Sequence, residues 1–308
     1  MTASPDFGWL IPTGNQRVPN DSTAYWLHLH NVLNTLEGRF HSAWMSDHLM
    51  DGQAQIPEAL TVISYLAGLY PQLYWGSAVL SQGFRNPALL AKMGATLQNI
   101  SGGRFMLGLG SGWKEDEHLA YGFDFPSATV RMGQMGEVIQ ICRKMWDPAK
   151  AKATFLGQHY QVHQAVCQPK PSPIIPIMIG GGGEKLTLPM VAKYADWWNL
   201  PGVTPDAYAR KLDLLETLCA VEGRSIATIR KTWMGVVSIA STRAAAEQQL
   251  EAYSVWPGDT PLVGTPDEIR VQLGAFQDLG VDLFILAFAD EPHLAGLNLF
   301  LDEVAGRR

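Results

Sequence analysis

Three short stretches carry the residue types that do chemistry. In "RFMLGLGSGW" the apolar run Phe105 to Leu109 reads as a buried strand, and glycines recur at alternate positions, Gly108, Gly110 and Gly112, with Trp113 directly after them. Bare backbone at a strand end permits a sharp bend or the close approach of a ligand. In "IMIGGGGEK" four glycines, Gly180, Gly181, Gly182 and Gly183, lie between a strand and a helix expected to begin at Glu184. Their N–H groups and the positive end of the helix dipole make a seat for an anion, a phosphate above all, provided Glu184 points away and Lys185 offsets its charge. "SDHLM" closes another strand, where Asp47 supplies an acceptor and His48 a titratable ring.

The first glycine set fails as a dinucleotide fingerprint. That motif needs G-x-G-x-x-G in the first strand–helix turn and an acidic residue about 20 positions on. Here the spacing is G-x-G-x-G and the strand is the fourth. The glycines suit the C-terminal mouth of a barrel, where a flat ring can lie against bare backbone; a tight turn alone is the competing account. His28 and His30, two apart on an expected helix, cannot face one metal, and His159 and His163 fall in a hairpin-like stretch, so no metal site is expected. Trp44, Trp75, Trp197 and Trp198 read as core, with Trp113 the exception.

Positioning these stretches takes a regular scaffold. Apolar bursts occur at Phe7 to Ile11, Phe40 to Ser46, Leu73 to Leu80, Arg104 to Gly110, Ile175 to Gly180, Asp196 to Leu200, Thr232 to Ala240 and Asp282 to Phe288, eight in all. Between them lie segments of helical period: Pro87 to Ile100, Lys185 to Tyr194, Pro205 to Glu222, Thr242 to Ser254 and Pro266 to Leu279. Alternation without a Pro/Ser-rich linker predicts one (β/α)8 barrel domain over residues 1–308. Residues 111–173 are too long for an ordinary connection, and are expected to form an insertion after strand four with its own helix, Ser127 to Trp146, and the hairpin "TFLGQHYQVH".

With 47% hydrophobic and 17% charged residues and no apolar run of membrane length, the chain reads as a compact protein without a membrane span. Its start, "MTASPDFGWLIP", lacks the basic and apolar regions of a secretion signal, so a cytoplasmic location is expected. Three scattered cysteines, Cys142, Cys167 and Cys219, suit reduced thiols. A formal charge of -6 with no basic run argues against nucleic acid and for a small-molecule partner.

The run "FRNPALLAKMGATLQNISGGRFMLGLGSGWKEDEHLAYGFDFPSATVRMGQMGEVIQICRKMW", with "SDHLM", "TFLGQHYQV" and "PIIPIMIGGGGEKLTLPMVAKYADWWN", resembles the bacterial luciferase-like monooxygenase superfamily, and most of all its branch named for dependence on the deazaflavin coenzyme F420. The resemblance extends from "FGWLIP" to "VGTPDEIRVQLGAFQDLGVDLFIL". It implies a barrel, a flavin or deazaflavin at the C-terminal mouth and commonly a homodimer packed through barrel helices. Carried over by position, it puts the cofactor ring near Asp47 and His48, against Ser77, Ala78 and Val79, and beside Gly110 and Gly112, with the phosphate on Gly181, Gly182 and Gly183. It also implies a cis bond between Ala78 and Val79.

Two positions depart from that pattern. Sugar-phosphate and alcohol oxidisers of the F420 branch carry a glutamate directly after the last glycine, where this chain has Trp113, and a tryptophan four residues after the "SDH" histidine, where it has Gly52. The expected activity is therefore hydride transfer between F420 and a small, flat substrate, reduction favoured, with His48 as the catalytic group. An FMN-dependent monooxygenase and a non-catalytic flavin-binding protein are the alternatives, and a metal-dependent hydrolase ranks last.

Overall fold

The structure is a computed structural model that describes residues 5–14, 21–253, 255–256 and 258–306. Its strands are β1 (Asp6–Ile11), β2 (Ser42–Met45), β3 (Tyr74–Ser77), β4 (Leu80–Ser81), β5 (Phe105–Gly110), β6 (Ala153–Leu156), β7 (Gln161–Ala165), β8 (Ile177–Gly180), β9 (Trp197–Pro201), β10 (Arg230–Ile239), β11 (Leu262–Gly264) and β12 (Val281–Phe288). Parallel pairing runs β1, β2, β3, β5, β8, β9, β10, β12 and back to β1, which closes an eight-stranded barrel. The expected strand over residues 73–80 comes in two pieces: the Ala78–Val79 bond is cis, and β4 resumes pairing with β5 through Leu80 and Leu109. The short strand β11, which the sequence reading lacked, adds to β10 outside the ring.

The helices are α1 (Ser22–Leu36), α2 (Ala59–Leu69), α3 (Pro87–Ile100), α4 (Glu115–Ala120), α5 (Ala128–Trp146), α6 (Thr187–Tyr194), α7 (Pro205–Val221), α8 (Arg243–Glu251), α9 (Pro266–Gln277) and α10 (Ala295–Phe300). Prolines open α3, α7 and α9 behind the caps Asn86, Thr204 and Thr265, because proline sacrifices only an N–H that the first turn leaves unpaired. The helix expected at Glu184 starts at Thr187 instead, since Thr187 and Leu188 both donate to the Gly183 carbonyl and residues 184–186 form a turn. The last turn expected for α8 is absent; it ends at Glu251, and residue 254 lies outside the described residues.

Between β5 and β8 the chain forms α4, α5 and the antiparallel pair β6–β7. Of these, α5 packs between α3 and α6 and belongs to the helix layer around the barrel. The β6–β7 turn is tied to α5, where Glu137 accepts from the amides of Gln158, His159 and Tyr160.

The barrel interior is filled by Trp44, Ala78, Met106, Met178, Leu283 and Ile285, whereas the larger core lies between strands and helices. Trp44 is fully buried, its Nε1 donating to Ser42 Oγ at 2.8 Å. Room for the indole comes from glycine on both neighbouring strands. A Cβ on Gly76 of β3 would lie 2.2 Å from the ring, and one on Gly8 of β1 2.6 Å from its Nε1. Gly76→Ala therefore overpacks the interior, and a loss of about 3 kcal/mol is expected from the urea midpoint.

At the opposite end from the strand C-termini, Arg230 holds Asp6 and Asp282, each at 2.6 Å. His41 stacks on Tyr74 with centroids 4.4 Å apart. Burial, then Arg230, pushes its imidazole down to about 4, against an opposing pull from Asp282. Asp6 lies 3.8 Å from His41 but is already paired with Arg230, so it does not rescue the imidazolium. Because the neutral ring is the folded form, stability is complete above about pH 6.5 and falls as pH drops toward 4. His41→Phe keeps the stacking and should remove about 2 kcal/mol of the wild type's loss between about pH 7 and 5 in paired denaturation curves; equal losses would refute it.

Candidate active site

The segment after β2 is fixed from beneath. Asp47 is 4% exposed, and both its oxygens are engaged: Arg85 Nη1 and Nη2 donate at 2.7 and 2.8 Å, and Ser81 N–H at 2.9 Å. Arg85 also pairs with Glu58, the cap of α2. Asp47 thus reaches the mouth through the backbone it holds. His48, one residue on, is a quarter exposed, and its Nδ1 lies 3.1 Å from Glu117 Oε2. Glu117 Oε1 accepts from the Leu49 and Met50 amides, Lys114 donates to the Met50 carbonyl at 2.8 Å, and Tyr121 to that of Leu49 at 3.0 Å. The loop bearing His48 is thereby clasped by α4 and its flanks. Gly52 has φ of 56°, a left-handed conformation that glycine adopts without penalty.

The alternating glycines answer to packing. A Cβ on Gly108 would lie 1.9 Å from the Ser77 carbonyl oxygen, and Ser77 Oγ donates to the Gly108 carbonyl while accepting from its amide, both at 3.0 Å. Ser77 is thus a buried tie between β3 and β5. Ala78 joins the interior, and Val79 stands between two glycines: a Cβ on Gly110 would meet Val79 at 2.8 Å, and one on Gly180 at 3.0 Å. Gly112 has φ of 79°, and a Cβ there would sit 2.7 Å from Ser81 Oγ and 2.9 Å from His118. His118 is buried; its Nδ1 donates to the Lys114 carbonyl at 2.8 Å, which leaves Nε2 to accept from Ser81 at 3.1 Å.

The second glycine run is also shaped by packing. Gly181 has φ of 109°, a Cβ on Gly182 would lie 2.6 Å from Leu200 Cδ1, and one on Gly183 2.9 Å from Thr187 Oγ1. Gly181 N–H already donates to the Asn199 carbonyl at 2.9 Å. Gly182 and Gly183 donate to no backbone carbonyl among the described residues, so their amides are the ones open to an anion. Glu184 turns outward to Lys211 at 2.6 Å; Lys211, rather than Lys185, offsets its charge.

Above His48 stands an aromatic corner. Trp113, 60% exposed, meets the His48 ring edge-on at 5.9 Å and Trp256 at 5.5 Å and 90°. Trp256 is itself 52% exposed. Trp44, Trp75 and Trp198 are buried as expected, and Trp197 is partly so. The residues that sequence reasoning missed are Arg85, Glu117, His118 and Trp256. Glu117 gave no signal beyond three consecutive acids, and Trp256 lies far along the chain in a loop without periodicity.

Residues 6–261 match the family model described as luciferase-like monooxygenase. The chain is 33% identical over 160 residues to an F420-dependent glucose-6-phosphate dehydrogenase of Kineococcus radiotolerans, covering 50% of this chain and 44% of that protein. It is 29% identical over 252 residues to pyrimidine monooxygenase RutA of Stutzerimonas stutzeri, covering 79% and 65%. It spans less than two thirds of either relative's length. An F420-dependent secondary alcohol dehydrogenase in complex with an F420-acetone adduct superposes with a TM-score of 0.81 at 17% identity, over 98% of both chains, and shares the barrel fold. With its closed parallel barrel and a match over most of its length, the chain belongs to the luciferase-like monooxygenase family.

Proposed function

We propose that this chain is an oxidoreductase that seats coenzyme F420 at the barrel mouth and moves a hydride between it and a small, flat organic substrate, with reduction of the substrate favoured. The observation that carries this is the aromatic corner of Trp113 and Trp256 beside His48, which offers apolar ring surface to a substrate at the mouth. Relatives named for F420 dependence support the cofactor. An FMN-dependent monooxygenase is the second reading, favoured by the likeness to a relative named as a monooxygenase. A homodimer, a cytoplasmic location and a single domain over residues 1–308 belong to the same proposal.

The residues present fit such a cofactor at two places: the unengaged amides of Gly182 and Gly183 suit its phosphate, and the rim at Ala78, Val79, Gly110, Gly112 and Gly180 offers backbone and small side chains to a flat ring. When bound, the deazaflavin supplies two-electron hydride chemistry, because carbon stands where a flavin has its oxygen-reactive nitrogen. Trp113 holds the substrate by its apolar face and supplies no base. His48 exchanges a proton at Nε2, the ring nitrogen that Glu117 leaves available. Asp47 and Ser77 act by fixing the backbone beneath them.

Reduced F420 is expected to turn over with cyclic enones, while oxidised F420 is not reduced by glucose 6-phosphate or secondary alcohols. Trp113→Glu should slow enone reduction about tenfold, a loss of about 1.4 kcal/mol of substrate positioning. Efficient alcohol oxidation by the wild type, or binding of FMN with none of F420, would overturn the proposal. The phosphate seat needs a variant free of the Leu200 collision. Cofactor affinity of Gly182→Ala/Leu200→Ala should be about tenfold below that of Leu200→Ala alone. Equal affinities would move the phosphate elsewhere.

A further inference from the structure

Glu117 is 1% exposed and has three donors around one carboxylate. The Leu49 and Met50 amides both reach Oε1, and Oε2 is left for His48 Nδ1 at 3.1 Å. Holding the loop needs only Oε1, and a glutamine would serve that purpose equally. Glutamate differs from glutamine at the second atom alone, which accepts in the first and donates in the second. An ionised carboxylate has no proton to give, so the hydrogen between it and His48 belongs to Nδ1. In the neutral ring the other nitrogen, Nε2, is then bare. Among the described residues His48 makes its one side-chain hydrogen bond through Nδ1, so Nε2 has no such partner, and the side chain is a quarter exposed.

We propose that Glu117 is a positioning residue that holds His48 in the Nδ1–H tautomer, so that His48 presents an acceptor, Nε2, to whatever occupies the mouth. The group that His48 meets there is consequently a hydrogen-bond donor, a hydroxyl or N–H of the substrate or cofactor. If Nε2 takes a proton, the carboxylate beside Nδ1 stabilises the resulting imidazolium, and the proton leaves by the same atom. This rests on the reading of His48 as the proton-handling group.

The test is the tautomer itself. Long-range proton–nitrogen correlation spectra of histidine-labelled protein at mildly alkaline pH, with the His48 signals assigned by their disappearance in His48→Gln, show which ring nitrogen is bare. Wild type is expected to have a bare Nε2. Glu117→Gln, which keeps Oε1 for the two amides and turns an N–H toward the ring, is expected to show a bare Nδ1. A wild type with bare Nδ1, or a variant with the wild-type tautomer, overturns the assignment; if the variant does not fold, the wild-type spectrum alone decides. Turnover separates the two readings. An inverted tautomer with enone reduction slowed about 10²-fold and cofactor affinity unchanged supports both. An inverted tautomer with unchanged turnover leaves Glu117 as the positioning residue and removes His48 from the chemistry.

Discussion

The whole mouth depends on a steric interlock in which a large side chain of one strand takes the space that a Cβ would fill on its neighbours. Trp44 on β2 does this to Gly8 and Gly76. Val79, in the break between β3 and β4, does it to Gly110 and Gly180. Interiors are packed at crystal-like density, so these contacts allow little adjustment. The glycines at alternate positions of β5 are therefore determined first by what packs against them. Bare backbone at the rim follows from the same packing, without any glycine having to be reserved for a ligand.

The polar contacts at the mouth repeat this logic with hydrogen bonds. Loops at strand ends are positioned by whatever satisfies their backbone groups. Here a cation and three acids do so from below and above: Arg85 joins Asp47 to the Glu58 cap of α2, and Glu117 binds the amides just past His48. A buried carboxylate is costly unless several donors meet it, and Asp47 and Glu117, the two that are buried, have them. The result is a His48 ring oriented by a helix that lies some 70 positions away in sequence.

The two ends of the barrel differ in how completely their polar groups are used. At the N-terminal end Arg230, Asp6 and Asp282 are paired among themselves, which suits a region concerned with stability. At the C-terminal end the amides of Gly182 and Gly183 are left without such partners among the described residues, and Trp113 and Trp256, though packed edge to face, stay more than half exposed. Exposed indoles of this kind present broad apolar faces with one polar N–H each.

The sequence by itself determined the barrel. Eight apolar bursts with helical segments between them match the ring strands within a few residues, because burial on both faces and a period of 3.6 are local properties of the chain. It also marked the strand ends at which the candidate site is drawn, at Asp47–His48, Gly110–Trp113 and Gly180–Gly183. Only the tertiary structure decided which atoms of those stretches are spoken for: Asp47 by Arg85, Ser77 by Gly108, the Gly181 amide by Asn199. In "KEDEHLAYG" the pattern even misleads, since Glu117 and His118 are buried while Leu119 and Tyr121 face solvent. Pairing partners of this kind lie tens of residues apart on different strands and helices, and hydrogen bonding between them leaves no period in the sequence. Their identity exists only once closure of the barrel brings the strand ends together.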